Sequence, residues 1–264
     1  MPWLDVERNV AFAARDARER ERVRDAIDRV GLSGAARVLP KALSGGLAQR
    51  AALARTLVRG PRVLLLDEPL SALDARTRAR AATELGGSLR EIDVPTVLVT
   101  HDFAEAAHLG DQVAIIDRGR IMQRGTASEL AAAPGSAFVA DFTGAVVLTG
   151  TARSGPDGLT VVALDGGGTV WALDSAHGPV AVSVYPWEIV IEPAGAERTG
   201  SAQNQLAVDI LSVTSVGNRV RLGLASPQPL AAEITETASR ELKLAAGMRV
   251  IASWKAAATR LLDL

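Results

Sequence analysis

Two carboxylates follow directly on an apolar run in Leu64-Leu65-Leu66-Asp67-Glu68. Acids at the carboxyl end of a buried strand sit at the crevice where α/β sheets bind ligands. There Asp67 could hold Mg²⁺, directly or through water, with the ion bridging phosphate oxygens. Glu68 could polarise an attacking water as a general base. The plainer reading is a strand that stops at polar residues. Upstream, Leu43-Ser44-Gly45-Gly46 precedes an apolar helix containing Leu53, Ala54 and Leu57. A serine and two glycines at a helix start offer a hydroxyl and backbone N–H groups to an anion. Ser44 is equally an ordinary N-cap. Downstream come Ser71-Ala72-Leu73-Asp74 and then Thr100-His101-Asp102, which ends a second apolar run. His101 would stand beside the same crevice, although a lone histidine at a strand end is more often structural.

These residues need elements to hold them. Residues 5 to 59 read as helical, with Asp5 as a cap and Val23, Ile27 and Val30 on one face. RVLLLDE (62–68), TVLVTH (96–101) and QVAIID (112–117) have the continuous apolar character of buried parallel strands. A helix over 75–91 separates the first two. Arg118-Gly119 turns the third run into RIMQRG, and SELAAAP and SAFVADF (136–142) read as short closing helices. Strands alternating with helices predict an α/β fold.

The texture changes at about Gly144. Turn signals then recur at 155–158, 165–168, 177–179 and 216–218. LTVVAL, TVWAL, VAVSVY and EIVIE between them have the size and β-branched content of strands. The expected division is therefore 1–143 and 144–264. The linker 192–203 splits the second part into halves of about 144–195 and 196–264, with one short helix near ASRELKL.

Composition narrows the classes. The 264 residues are 48% apolar and 22% charged, as in a globular protein. The net charge of -1 carries no global basic field for nucleic acid. Cysteine is absent, which excludes disulfides and thiolate metal sites. No apolar run reaches the roughly 18 residues of a membrane span, and Asp5, Glu7 and Arg8 arrive too early for a signal peptide. A membrane role would thus work through a partner.

The order LSGG, helix, LLLDEP, SALD, VTHD resembles the ABC transporter ATPase family over about residues 1 to 142. The resemblance implies a partial P-loop ATPase domain, a helical subdomain plus a parallel-sheet core, that uses ATP and Mg²⁺. Ser44, Gly45 and Gly46 match the signature motif, which touches ATP held by the opposite subunit. Asp67 matches the Walker B aspartate and Mg²⁺ site, Glu68 the catalytic glutamate, Asp74 the D-loop aspartate and His101 the switch histidine. Leu47 stands where glutamine is usual. The G-x-x-x-x-G-K-[ST] loop that grips phosphates is absent from the sequence, and Lys41, the first lysine, follows no glycine loop. The opening MPWLDVERNVAF resembles the segment just after the Q-loop glutamine. The phosphate loop is therefore expected upstream of Met1, through a late start codon or a truncated gene.

The second part is similar to the molybdate-binding Mop/TOBE domain, an all-β OB-like barrel appended to molybdate-import ATPases. The likeness rests on the S-A-x-N-x-L start at Ser201, the A-E-I-T middle and the W-K-A end, and covers 197–264, with 145–193 like the preceding half. A tetrahedral oxyanion only accepts hydrogen bonds, so its site needs donors. Ser201, Asn204 and Lys255 supply them, and the family places the ligand near the positions of Ser201 and Lys255. Gln203 stands where some relatives carry arginine. Ser201 and Asn204 as turn residues, with Lys255 a solvated strand end, is the bland alternative.

The reading that follows is an ATP-hydrolysing subunit of an oxyanion importer, with molybdate favoured over tungstate and sulfate. Its implied partners are a membrane permease, a second copy or a complete ATPase subunit and, indirectly, an external substrate-binding protein. Its expected place is the cytoplasmic face of the membrane. A non-catalytic oxyanion-binding regulator with a decayed ATPase half is the rival, although a decayed engine should have lost some of Ser44, Asp67, Glu68, Asp74 and His101. A nucleic-acid-binding barrel ranks last, because aromatic residues make up 3% of the chain and its charge is balanced.

Overall fold

The computed structural model describes residues 1–71, 73–92, 94–195, 201–216 and 218–264. Ala72 of the SALD stretch, Gly217 of the 216–218 turn, Gly200 and the rest of 196–200 in the linker lie outside the described residues. The chain divides by packing into Met1–Val113 and Ala114–Leu264.

The first unit opens with three short helices, α1 (Val6–Ala11), α2 (Ala17–Glu21) and α3 (Val23–Arg29), followed by the longer α4 (Gly45–Leu57). Asp5 and Asp16 cap α1 and α2 through their carboxylates, as the sequence predicts for Asp5. Val23, Ile27 and Val30 are buried with Val6, Val10, Leu53, Ala54 and Leu57 in one core. β1 (Leu64–Asp67), α5 (Ala75–Ile92), β2 (Thr96–Val99) and α6 (Phe103–Leu109) complete the unit.

β1 and β2 pair in parallel, with Leu64 opposite Thr96 and Asp67 opposite Val99. The expectation that this sheet is buried on both faces holds on one face only. Leu64 is buried, while Leu65 is 74% exposed and Val97 and Val99 are 55% and 54% exposed. The period of two sends alternate side chains to opposite faces, and the described residues cover one of them.

The third apolar run forms β3 (Val113–Asp117), which pairs with β4 (Arg120–Gly125) rather than extending the parallel sheet. Arg118 and Gly119 both take positive φ, the two-residue hairpin turn expected of them. α7 (Ala127–Ala132) and α8 (Ala137–Phe142) follow as predicted, α7 with a full capping box between Thr126 and Glu129. Packing groups these elements with the β-rich part, so its division falls earlier than the 143/144 texture change. The cause is α8, which packs on β5 and β8, and Tyr185, whose hydroxyl donates to the carbonyl of Ala131 at 2.9 Å.

The remaining strands make two five-stranded sheets, ordered β14-β8-β5-β6-β7 and β12-β11-β10-β13-β9. The first holds β5 (Val146–Ser154), β6 (Thr160–Leu164), β7 (Thr169–Ala172) and β8 (Gly178–Val184). The second holds β10 (Asn204–Val216), β11 (Arg219–Ala225), β12 (Leu230–Thr235) and β13 (Arg249–Trp254), with α9 (Glu236–Glu241) between the last two. Each half donates its final strand to the other. β9 (Val190–Pro193) follows β8 but pairs with β13, and β14 (Arg260–Leu262) follows β13 but pairs with β8. Leu148, Val162, Val182, Leu222, Leu224 and Trp254 from both sheets share one core. β5, which VVLTGTARS forms, is the strand that turn signals alone do not announce.

Two side-chain amides, one buried and one half-buried, lock the halves. Asn204, fully buried, accepts from the Trp171 N–H at 2.6 Å and donates to the Trp171 carbonyl at 3.0 Å and to Thr259 Oγ1 at 2.9 Å. Thr259 Oγ1 also accepts from Trp254 Nε1 at 3.0 Å. In the same manner Gln228 accepts from the Thr149 N–H and donates to its carbonyl, at 2.7 and 2.8 Å. A side-chain amide that bonds both polar groups of one residue imitates a neighbouring strand. Removing it strands buried donors and acceptors. Asn204→Ala is therefore expected to cost about 3 kcal/mol of unfolding free energy, measured by denaturant unfolding of the full chain.

Candidate functional site

The parallel register brings the sequence-predicted acids and histidine of the first unit together. With Asp67 opposite Val99, the chain leaves both strands at one level. Glu68 takes φ 42°, a left-handed conformation that costs a side-chain-bearing residue energy. Its N–H donates to the Val99 carbonyl at 2.8 Å, and its carbonyl accepts from the N–H and hydroxyl of Ser71. This turn sends the Glu68 carboxylate to His101, where Oε1 lies 3.1 Å from Nδ1. Asp67, Glu68 and His101 are all exposed at this edge. Asp74 lies beyond the same turn, and its Oδ1 accepts from the Thr77 N–H at 3.1 Å at the start of α5.

Ser44 caps α4, accepting from the Leu47 N–H at 3.4 Å, and both it and Gly45 are exposed. The plain N-cap reading is thus correct, and the hydroxyl proton is left to other acceptors. The two glycines answer to packing. A Cβ on Gly45 would stand 3.2 Å from Leu73 Cδ2, and one on Gly46 would stand 2.8 Å from Glu84 Oε2. Gln49 donates to the Pro69 carbonyl at 3.1 Å, tying α4 to the turn that follows Glu68. Arg50 Nη2 bonds Glu84 Oε2 at 2.8 Å, which fixes α4 to α5, and within α5 Arg80 Nε bonds Glu84 Oε1 at 3.1 Å. Gln49, Arg50 and Glu84 were not legible as site residues, because each acts through a contact distant in sequence.

The oxyanion candidates lie in the second unit. Asn204 is a correction: its amide is buried and both N–H donors are spent on Trp171 and Thr259, so none remains for a ligand. Ser201 and Lys255 are exposed. The duplicated halves relate them to a second pair. Val146 pairs with Val184 as Asn204 pairs with Trp254, so Thr143 corresponds to Ser201 and Tyr185 to Lys255. The first-half pair is in contact, with Thr143 Oγ1 2.8 Å from Tyr185 Oη, and Thr143 is buried. Their hydroxyls also meet the Ala140 and Ala131 carbonyls, and burial pushes the Tyr185 phenol above its ordinary pKa.

Hydrogen bonding from Arg50 is the largest cause that holds the Glu84 carboxyl below its ordinary value, against the opposing effect of burial. Its contribution to stability is present above the unfolded carboxylate value, about 4.3, and is lost as pH falls through the lowered one. Glu84→Gln should cost about 1 kcal/mol at neutral pH and flatten the acid limb of the stability curve, as denaturation across that window will show.

Residues 1–71 match the ABC transporter model and residues 200–261 the TOBE domain model. The sulfate/thiosulfate import ATP-binding protein CysA of Xanthomonas campestris pv. campestris is 38% identical over 260 residues, covering 92% of this chain and 72% of that protein. The spermidine/putrescine import ATP-binding protein PotA of Thermobifida fusca is 40% identical over 198 residues, covering 73% of this chain and 50% of that protein. A CysA protein of Chromobacterium violaceum is 38% identical over 231 residues, 84% of this chain and 60% of that one. The chain thus spans 60% and 50% of the length of the first two curated relatives it matches. Among solved structures, the cytoplasmic molybdate-binding protein ModG, with molybdate bound, is 22% identical with a TM-score of 0.39, covering 45% of this chain and 96% of ModG. The helix-and-sheet first part, the all-β TOBE/OB-like second part and the 38% identity to a relative covered over 72% of its length lead to one conclusion: the chain belongs to the ABC transporter family.

Proposed function

We propose that the chain is the ATP-hydrolysing subunit of an ABC importer for an oxyanion, with molybdate the favoured cargo. The observation that carries the hydrolytic part is the Glu68–His101 pair beside Asp67 at the end of β1. Glu68 acts as general base, taking a proton from the water that attacks the terminal phosphate. His101 orients that carboxylate and stands ready to donate to the phosphate. Ser44 and the first N–H groups of α4 bind the terminal phosphate of ATP held by a second subunit. Among the described residues no cluster of three or more acidic, histidine or cysteine side chains could cage a metal. Asp67 would hold Mg²⁺, directly or through water, and the ion would supply charge neutralisation on the phosphates.

A membrane permease and a second ATPase subunit complete the machine on the cytoplasmic face, and among the described residues no helix is long and apolar enough to cross a membrane. No phosphate-gripping loop occurs in the 264 residues. Because phosphoryl transfer depends on that grip, the chain by itself should show no appreciable ATP turnover. A measurable rate abolished by Glu68→Gln would overturn this.

Support for the oxyanion comes from the donors. Lys255 is one of three lysines, and the contact between Thr143 and Tyr185 favours a matching closeness of Ser201 and Lys255. With the first-half pair closed on itself, one oxyanion per chain is expected. Calorimetric titration of the chain with molybdate, tungstate and sulfate should give a stoichiometry near one, and Lys255→Ala should weaken binding about tenfold or more. If none of the three anions binds, the oxyanion assignment fails and the barrel serves dimerisation or regulation instead.

A further inference from the structure

We infer that Arg78 is a positioning residue that holds the His101 loop and the Asp74 loop to one anchor. It stands in the first turn of α5, and its Nη2 donates to the Leu73 carbonyl at 2.9 Å, just before Asp74. On its other side Nη1 lies 3.9 Å from Asp102 Oδ2, the residue next to His101. The side chain is 30% exposed, and its Nε is buried and makes no hydrogen bond. Leaving the Nε buried without a hydrogen bond is costly, and the side chain that bears this cost touches two loops that carry sequence-predicted site residues.

Asp102 is well placed to pass this restraint on. Its Oδ1 accepts from the N–H groups of Ala104 and Glu105 at 2.8 and 3.2 Å and so caps α6. Its own N–H donates to Thr100 Oγ1, whose hydroxyl donates to Glu105 Oε2. The backbone on both sides of His101 is thereby locked to the start of α6, and Arg78 ties that start to α5 and to Leu73. Moving Asp102 moves His101 relative to Glu68. A planar fork bonds a carbonyl and faces a carboxylate at once, whereas an ammonium supplies only a point charge.

The consequence for hydrolysis rests on the proposed function, but the geometric claim does not, so its test needs no nucleotide. The chain has three histidines, His101, His108 and His177. Their imidazole resonances can be followed by NMR in the full chain, with His101→Gln to assign His101 and Glu68→Gln to mark its position without the carboxylate. Arg78→Ala should shift the His101 resonances toward the Glu68→Gln position and leave His108 and His177 in place. Asp102→Asn should produce the same shift, the double variant should add nothing further, and Arg78→Lys should restore part of it. Unchanged His101 resonances in folded Arg78→Ala, or a shift that Asp102→Asn does not reproduce, would refute the positioning role. Should Arg78→Ala fail to fold, Arg78→Lys and Asp102→Asn decide: a selective His101 shift in both supports the role, and its absence in either overturns it.

Discussion

Parallel pairing of β1 with β2 sets the level at which the two strands end, and the chemistry of the first unit depends on that level. Because Asp67 lies opposite Val99, Glu68 and His101 leave the sheet side by side and meet at 3.1 Å. A slip of one residue would turn every side chain of a strand to the other face and part the two groups. The left-handed turn at Glu68 then aims the carboxylate across, at the expense of local strain held by the bonds to Val99 and Ser71. Strain of this kind is kept where surrounding structure over-determines it.

Around that register the helices act as fixtures. α4 is tied to the turn after Glu68 through Gln49 and to α5 through Arg50 and Glu84. The start of α6 is tied to α5 through Asp102 and Arg78. At the glycines of the LSGG stretch a Cβ would press on Leu73 or Glu84.

The second unit solves a different problem. Two similar halves exchange their last strands, so neither sheet is complete without the other half. Amide clips from buried Asn204 and half-buried Gln228 close the join, and at Asn204, away from water, a hydrogen bond left unmade is expensive. The duplication also shows where the halves have diverged: Thr143 and Tyr185 bond each other, while Ser201 and Lys255 remain exposed at corresponding positions.

The sequence by itself determined the elements and singled out the residues that the structure brings to the end of β1. LLLDE, TVLVTH and the helical spacing of Val23, Ile27 and Val30 follow from short-range patterning, and the order of LSGG, LLLDE, SALD and VTHD identified the family. β5 lacked a turn signal to announce it, and β3 has the apolar character of a parallel strand although it pairs in a hairpin. Only the tertiary structure decided that one face of β1 and β2 stays exposed, that Asn204 is a structural clip and not a ligand donor, and that Arg78 joins two loops. Local sequence carries propensity and period, whereas whether a polar side chain faces a ligand or a backbone depends on residues brought near by the fold. Asn204 meets Thr259 across 55 positions of chain, a contact that no local pattern encodes.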